Sequence, residues 1–162
     1  MKEFCLDGDG VVTALIEPFE ADIVRDLAGQ LTSLLEQPVD GDPALLRLLP
    51  DAYPDDEASS SEFRRYTRDS LTKRKVDNAR TVIETLDAVA GGERVAAQPS
   101  YELRLGRDET IAWLTTLTDI RLTLAHRMGI IADDQVSDDP ELQNLYDWLG
   151  FVQNAIVETL GG

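Results

Sequence analysis

Cysteine and histidine are almost absent: one of each stands in 162 residues. That excludes a disulfide framework and a four-ligand Cys/His zinc site. Long apolar runs are missing as well. None approaches the ~18 residues that span a bilayer, and Met1-Lys2-Glu3-Phe4 does not read as a secretory signal. Cations are scarce, 15 Lys and Arg against 31 Asp and Glu, for a net charge of −16. Such a field repels phosphates and argues against direct nucleic-acid binding. What is present is an ordinary balance, 43% hydrophobic and 28% charged, enough for one core-bearing domain over residues 1–162. The expectation is a cytoplasmic, acidic protein with no membrane contact.

The hydrophobic pattern predicts mostly helix. Phe4–Leu6 and Val11–Ile16 flank Asp7-Gly8-Asp9-Gly10, a turn sequence suited to a hairpin. Pro18 suits the first turn of a helix in which Ile23, Leu27, Leu31 and Leu34 recur, ending near Gln37-Pro38. Asp42-Pro43 opens a short helix through Leu48, stopped by Pro50. Ser59 with Glu62 gives a capping box for a long helix to about Ala90, closed by Gly91-Gly92. Tyr101–Leu105 alternates like a strand that can join the hairpin. A helix from Asp108 through Met128, an acidic loop over Ala132–Asp139, and a last helix from Pro140 to Leu160 complete the chain. The fold class is mainly α (α+β): a bundle of four helices, long and short, with a small antiparallel hairpin or three-stranded sheet at the N-terminal side.

Four features stand out against that frame. In the long helix the apolar stripe changes face near residues 71–75, so either the helix breaks or its two ends pack on different neighbours; the second is preferred. Residues 64–80 hold seven cations and two acids, a net +5 that leaves −21 for the other 145 residues. Arg64, Arg68 and Lys75 lie within about 40° on a helical wheel. They form a stripe that either docks an acidic partner or pairs with the protein's own carboxylates. Arg121 points into an apolar face of Leu114, Leu117, Leu124, Ala125 and Met128, which requires a pairing partner. A structural ion pair with a carboxylate such as Asp147 or Glu20 is the expectation. The last helix lines Leu142, Leu145, Leu149, Val152, Ile156 and Leu160 on one face. Trp148, Phe151 and Ala155 form a second stripe, readable as core or as a partner or dimer contact.

Catalytic signals are poor. His126 stands off the main stripe beside Arg127. The Asp7–Gly10 turn lacks the third acidic ligand, mid-loop glycine and closing Glu of a calcium loop. Gly8 and Gly10 lack the third glycine of a dinucleotide fingerprint. Ser70-Leu71-Thr72-Lys73 has serine–lysine hydrolase spacing but none of the companion motifs. No enzyme, cofactor or metal is expected. Cys5 faces away from Phe4 and Leu6 in a strand, and its neighbours Lys2, Glu3 and Asp7 offer no net positive surroundings. A small structural residue is the plainer reading; an oxidant-sensitive thiol is the other.

Three segments together carry a resemblance: Leu46-Arg47-Leu48-Leu49-Pro50-Asp51-Ala52-Tyr53; Ala112-Trp113-Leu114 with Asp119-Ile120-Arg121-Leu122-Thr123-Leu124; and Leu145-Tyr146-Asp147-Trp148-Leu149-Gly150-Phe151-Val152-Gln153. The chain resembles, over nearly its whole length, an actinobacterial family of unknown function that includes the oxidative-stress-responsive regulator AosR. The resemblance implies a non-enzymatic protein that senses oxidants by thiols and associates with an alternative sigma factor to raise transcription of redox and cysteine-biosynthesis genes. Redox switching in that regulator is attributed to a cysteine pair. Here Cys5 is alone, so sensing requires an intersubunit Cys5–Cys5 bond or a mixed disulfide with a small thiol.

The sequence therefore points to a regulatory protein that binds a protein partner, a sigma factor being suspected, and that can form a homodimer. Arg64, Arg68, Lys75, Trp148 and Phe151 are the partner-binding candidates and Cys5 the redox candidate. Trp113, Arg121, Tyr146 and Trp148 are expected to hold the fold. The alternative is an adaptor or scaffold in regulated proteolysis, without a thiol role.

Overall fold

A computed structural model describes residues 1–49, 61–91, 100–129 and 137–161. Strands β1 (Lys2–Leu6), β2 (Val12–Ile16) and β3 (Tyr101–Leu105) form one antiparallel sheet in the order β1-β2-β3. Helices α1 (Pro18–Glu36), α2 (Pro43–Leu48), α3 (Ser61–Ala90), α4 (Arg107–Arg127) and α5 (Pro140–Gly161) carry the rest. The mainly α (α+β) reading holds. Four long helices make the expected bundle, and the six-residue α2 is a fifth helix.

The local chemistry explains the boundaries. Asp7 makes the hairpin turn: its Oδ1 accepts the N–H of Val11 at 2.9 Å and of Asp9 at 3.0 Å, while Oδ2 accepts from Arg104 at 3.0 Å. These contacts, the Val11 N–H first, hold its carboxyl below the usual range. Gly10 at φ 80° supplies the left-handed backbone that closes the turn. Asp42 caps α2 through the Ala44 N–H, and Asp139 caps α5 through Glu141 and Leu142. Helix α4 begins one residue before Asp108, because Glu109 reaches back to accept the Gly106 N–H at 2.8 Å. The proposed Ser59 cap, the Pro50 stop, Gly92 and most of the 132–139 loop lie outside the described residues.

One sheet face is the core face. Val12, Ala14 and Ile16 on the central strand and Leu103 and Leu105 on β3 are buried there, with α5 over β1 and β2 and α3 over β3. Cys5 pairs with Thr13, which in turn faces Arg104, so this row occupies the opposite face. The register slips between Lys2 and Cys5, where Glu3 has φ 55°.

Helix α3 runs unbroken through the point where its stripe changes face. Its second half buries Val76, Ala79, Val82, Leu86 and Val89 against α1 and α4. On its first half Phe63 has an interaction within the chain, but the aromatic stripe is not buried on a second neighbour among the described residues, contrary to the preferred reading. Phe63 is 52% and Tyr66 74% exposed, because these residues point away from the direction of the core that the second half faces. Among the described residues no helix is long and apolar enough to cross a membrane.

Candidate functional site

The basic stripe divides into residues with different duties. Lys75 leaves it: its ammonium donates to Asp119 Oδ1 at 2.7 Å, and the two side chains are 14% and 3% exposed. Burial pushes the Asp119 carboxyl above its ordinary value, with Lys75 opposing. Lys75 is thus spent inside the α3–α4 interface. Arg64 is half-buried and also engaged within the chain. Arg68 remains exposed and has no ion pair among the described residues; the same holds for Arg65 and Arg74 beside it. Farther along, Lys73 pairs with Asp77 at 3.7 Å and Arg80 pairs with Glu36. In a chain with twice as many acids as bases, three exposed arginines on one half-helix are a concentrated positive surface.

Arg68 also lines a groove of about 410 Å³ between the end of α1, the loop 38–42, α2 and α3. Leu35, Leu45 and Leu49 are its buried floor, and Val39 and Leu46, 66% and 63% exposed, stand at its rim. The exposed aromatics Phe63 and Tyr66 are on the same half of α3.

Arg121 is held differently from the expectation. Its guanidinium lies 4.4 Å from the Tyr146 ring centroid, and Nη1 donates to Gln153 Oε1 at 3.1 Å. No carboxylate among the described residues pairs with it. Asp147 accepts from Gln143 instead, and Glu20 binds the Met1 amino group and the Glu17 N–H. The cation is therefore met by a π face and an amide rather than by an opposite charge. Gly150 makes room: a Cβ there would lie 3.1 Å from Arg121 Cζ and Nη2. Tyr146, Gly150 and Gln153, spaced at four and three residues, form one cradle on α5. The second and third sequence motifs thus meet at the α4–α5 interface.

This seat makes a testable prediction. Gly→Ala in a helix ordinarily stabilises by about 0.5–1 kcal/mol. Gly150→Ala should show no such gain in the wild type, where the guanidinium must shift, and should show it in an Arg121→Ala background. Equal effects in both backgrounds, measured by urea unfolding, would refute the cradle.

The last helix separates its two stripes. Leu149, Val152 and Ile156 are fully buried, while Leu142 and Leu145 pack partly against the core. Leu160, expected on the core line, is 46% exposed. Trp148 is half-buried against the core and Phe151 is 54% exposed, so the second stripe has a core half and a surface half. Cys5 is an exposed free thiol on β1. Among the described residues no cluster of three His, Cys, Asp or Glu is placed to hold a metal.

Sequence reasoning missed the Lys75–Asp119 pair, the burial of Glu20 and the Arg121 cradle. The Tyr146/Gly150/Gln153 spacing was the available signal for the last; nothing local marks Asp119 as buried.

In class, this is a mainly helical α+β protein whose three-stranded sheet closes one side of a helical bundle. The model of the family described as "Domain of unknown function (DUF2017)" matches residues 1–160, and the chain belongs to that family. No curated protein and no solved structure matches it.

Proposed function

We propose that this chain is a non-enzymatic, cytoplasmic regulatory protein that acts by binding another protein in oxidative-stress-linked transcription, with an alternative sigma factor as partner. The observation that carries the reading is the first half of α3, where Arg65, Arg68 and Arg74 are exposed and have no ion pair among the described residues, beside exposed Phe63 and Tyr66. Arginine and aromatic side chains of this kind dominate binding energy at protein interfaces. The three motifs and their likeness to the actinobacterial regulator AosR supply the stress-response context. Phe151 on α5 offers a second contact point.

Two measurements test the reading. Deleting the gene should lower peroxide induction of redox and cysteine-biosynthesis transcripts; unchanged induction contradicts the regulatory role. Peroxide treatment followed by non-reducing electrophoresis should yield a dimer that Cys5→Ser abolishes, since Cys5 is exposed and alone. Monomer in both forms removes the intersubunit disulfide.

A further inference from the structure

Helices α4 and α5 meet in an outward-facing seam that holds almost no charge. Between residues 111 and 122 every side chain that α4 leaves unburied is uncharged except Arg121. The α5 side is set by Tyr146, Gly150, Gln153, Val157 and Leu160, at steps of three and four, and carries no charge. Tyr146 and Gln153 meet Arg121, and Gln153 also donates to Thr118. The helices thus run antiparallel, which brings Val157 and Leu160 to the Ile111 end. Ile111, Leu122, Val157 and Leu160 are all exposed. In a chain that is 28% charged, this strip has the composition of an interface centre, depleted in charge and holding an arginine beside an aromatic ring.

Arg121 indicates what the occupant carries. Of its N–H groups, Nη1 donates to Gln153, Nε is buried without a partner, and Nη2 donates to nothing among the described residues. Nη2, unlike Nε, keeps contact with solvent. No described carboxylate pairs with this cation, although acids outnumber bases 31 to 15. The one charge of the seam therefore lacks its opposite. A second copy packed seam against seam does not supply it, because the seam contains no acid. A small anion would meet Arg121 but leave Ile111, Val157 and Leu160 bare.

We propose that the α4–α5 seam docks a helical segment of a different protein, apolar along one face and carrying one carboxylate that seats on Arg121. The rise from Ile111 to Arg121 is about 15 Å, so about three turns of the segment cover it. The seam uses no residue of α3, so this surface goes beyond the α3 reading and stands whether or not that helix binds a partner.

The probe is a synthetic helical peptide of about four turns, with leucines along one face, one glutamate at the end of that face, and glutamine and alanine elsewhere. It should bind the full chain and shift the amide resonances of Ile111, Thr118, Gln153 and Val157. Exchanging its glutamate for glutamine should weaken binding to the wild type about ten-fold, as loss of a charge-assisted hydrogen bond implies. The same exchange should change nothing in Arg121→Gln. Ile111→Asp lies at an exposed position, so the fold is kept, and it should weaken both peptides by about ten-fold or more. Arg65→Glu/Arg68→Glu should match the wild type within about two-fold. No binding, equal affinity of the two peptides for the wild type, a difference that persists in Arg121→Gln, or full binding by Ile111→Asp would each overturn the assignment. So would a wild-type dimer that Ile111→Asp converts to monomer in sedimentation, which gives the seam to a second copy. Tighter binding after Asp133→Asn/Asp134→Asn would give it to the chain's own acidic segment. Acetate shifting Tyr146 and Gln153 while neither peptide binds would make it a seat for small anions instead.

Discussion

Replacing Trp113 by alanine is expected to cost about 3–5 kcal/mol of folding stability, a large share of the roughly 5–15 kcal/mol typical of a folded protein. Trp113 has no exposed surface, and its Nε1 donates to Thr85 Oγ1 at 2.9 Å. Thr85 in turn donates to the Val82 carbonyl at 2.7 Å, so the indole is tied to the backbone of α3 through one hydroxyl. Truncation removes the packing between α3 and α4 and leaves a cavity that rigid neighbours fill only in part. Thr85→Val keeps the volume but strands a buried N–H, and should cost about 1–3 kcal/mol. Urea unfolding followed by the fluorescence of the half-buried Trp148 measures both. A loss below about 1 kcal/mol for Trp113→Ala would show that the α3–α4 contact is not centred there.

Lys75→Met is expected to be nearly as damaging, at about 3 kcal/mol or more, because it leaves the Asp119 carboxylate buried without its ammonium. Asp119 Oδ2 already has no hydrogen-bond partner among the described residues. The reverse substitution, Asp119→Asn, should cost less, since the 14% exposed lysine can swing its charge toward water on its long stem. The double variant Lys75→Met/Asp119→Leu should return close to wild type, because matched apolar residues avoid both desolvation penalties. Acidity provides an independent check. In the folded chain the Asp119 carboxyl titrates above its ordinary value of 3.8, with burial as the main cause. A carboxyl shifted up in this way destabilises the folded state above its folded pKa, and the penalty fades as pH falls toward the unfolded value. Without Lys75 the upward shift grows. The deficit of Lys75→Met against wild type should therefore shrink between neutral pH and about pH 4. A deficit that is constant or grows on acidification would contradict this origin.

These two contacts also mark how far the sequence could be read. Element boundaries were legible because they are set locally: Asp7 with its glycines, Asp42-Pro43, Asp139-Pro140 and the alternation of Tyr101–Leu105 each act within a few residues. Which cations would be free was not legible. Lys75 and Arg68 lie on one wheel face seven residues apart, and only the arrival of Asp119 from α4, 44 residues away, takes Lys75 out of the stripe. Arg121 shows the same limit. Its need for a partner followed from its apolar surroundings, but identifying Tyr146 and Gln153 required the register of α5 against α4. The groove was unreadable for a third reason. It is formed by three elements, and neither the leucines of α2 nor Arg68 differs locally from ordinary core and surface residues.

The most direct test of the partner-binding account is in-cell crosslinking and affinity purification of the chain, wild type against Arg65→Glu/Arg68→Glu, with mass-spectrometric identification of what is captured. Both arginines are exposed and outside any ion pair among the described residues, so their loss leaves the fold intact. The account predicts that an alternative sigma factor is enriched with the wild type and falls by about ten-fold or more with the charge-reversed form. Equal capture by both forms, or capture of a proteolytic component with no sigma factor, would contradict it.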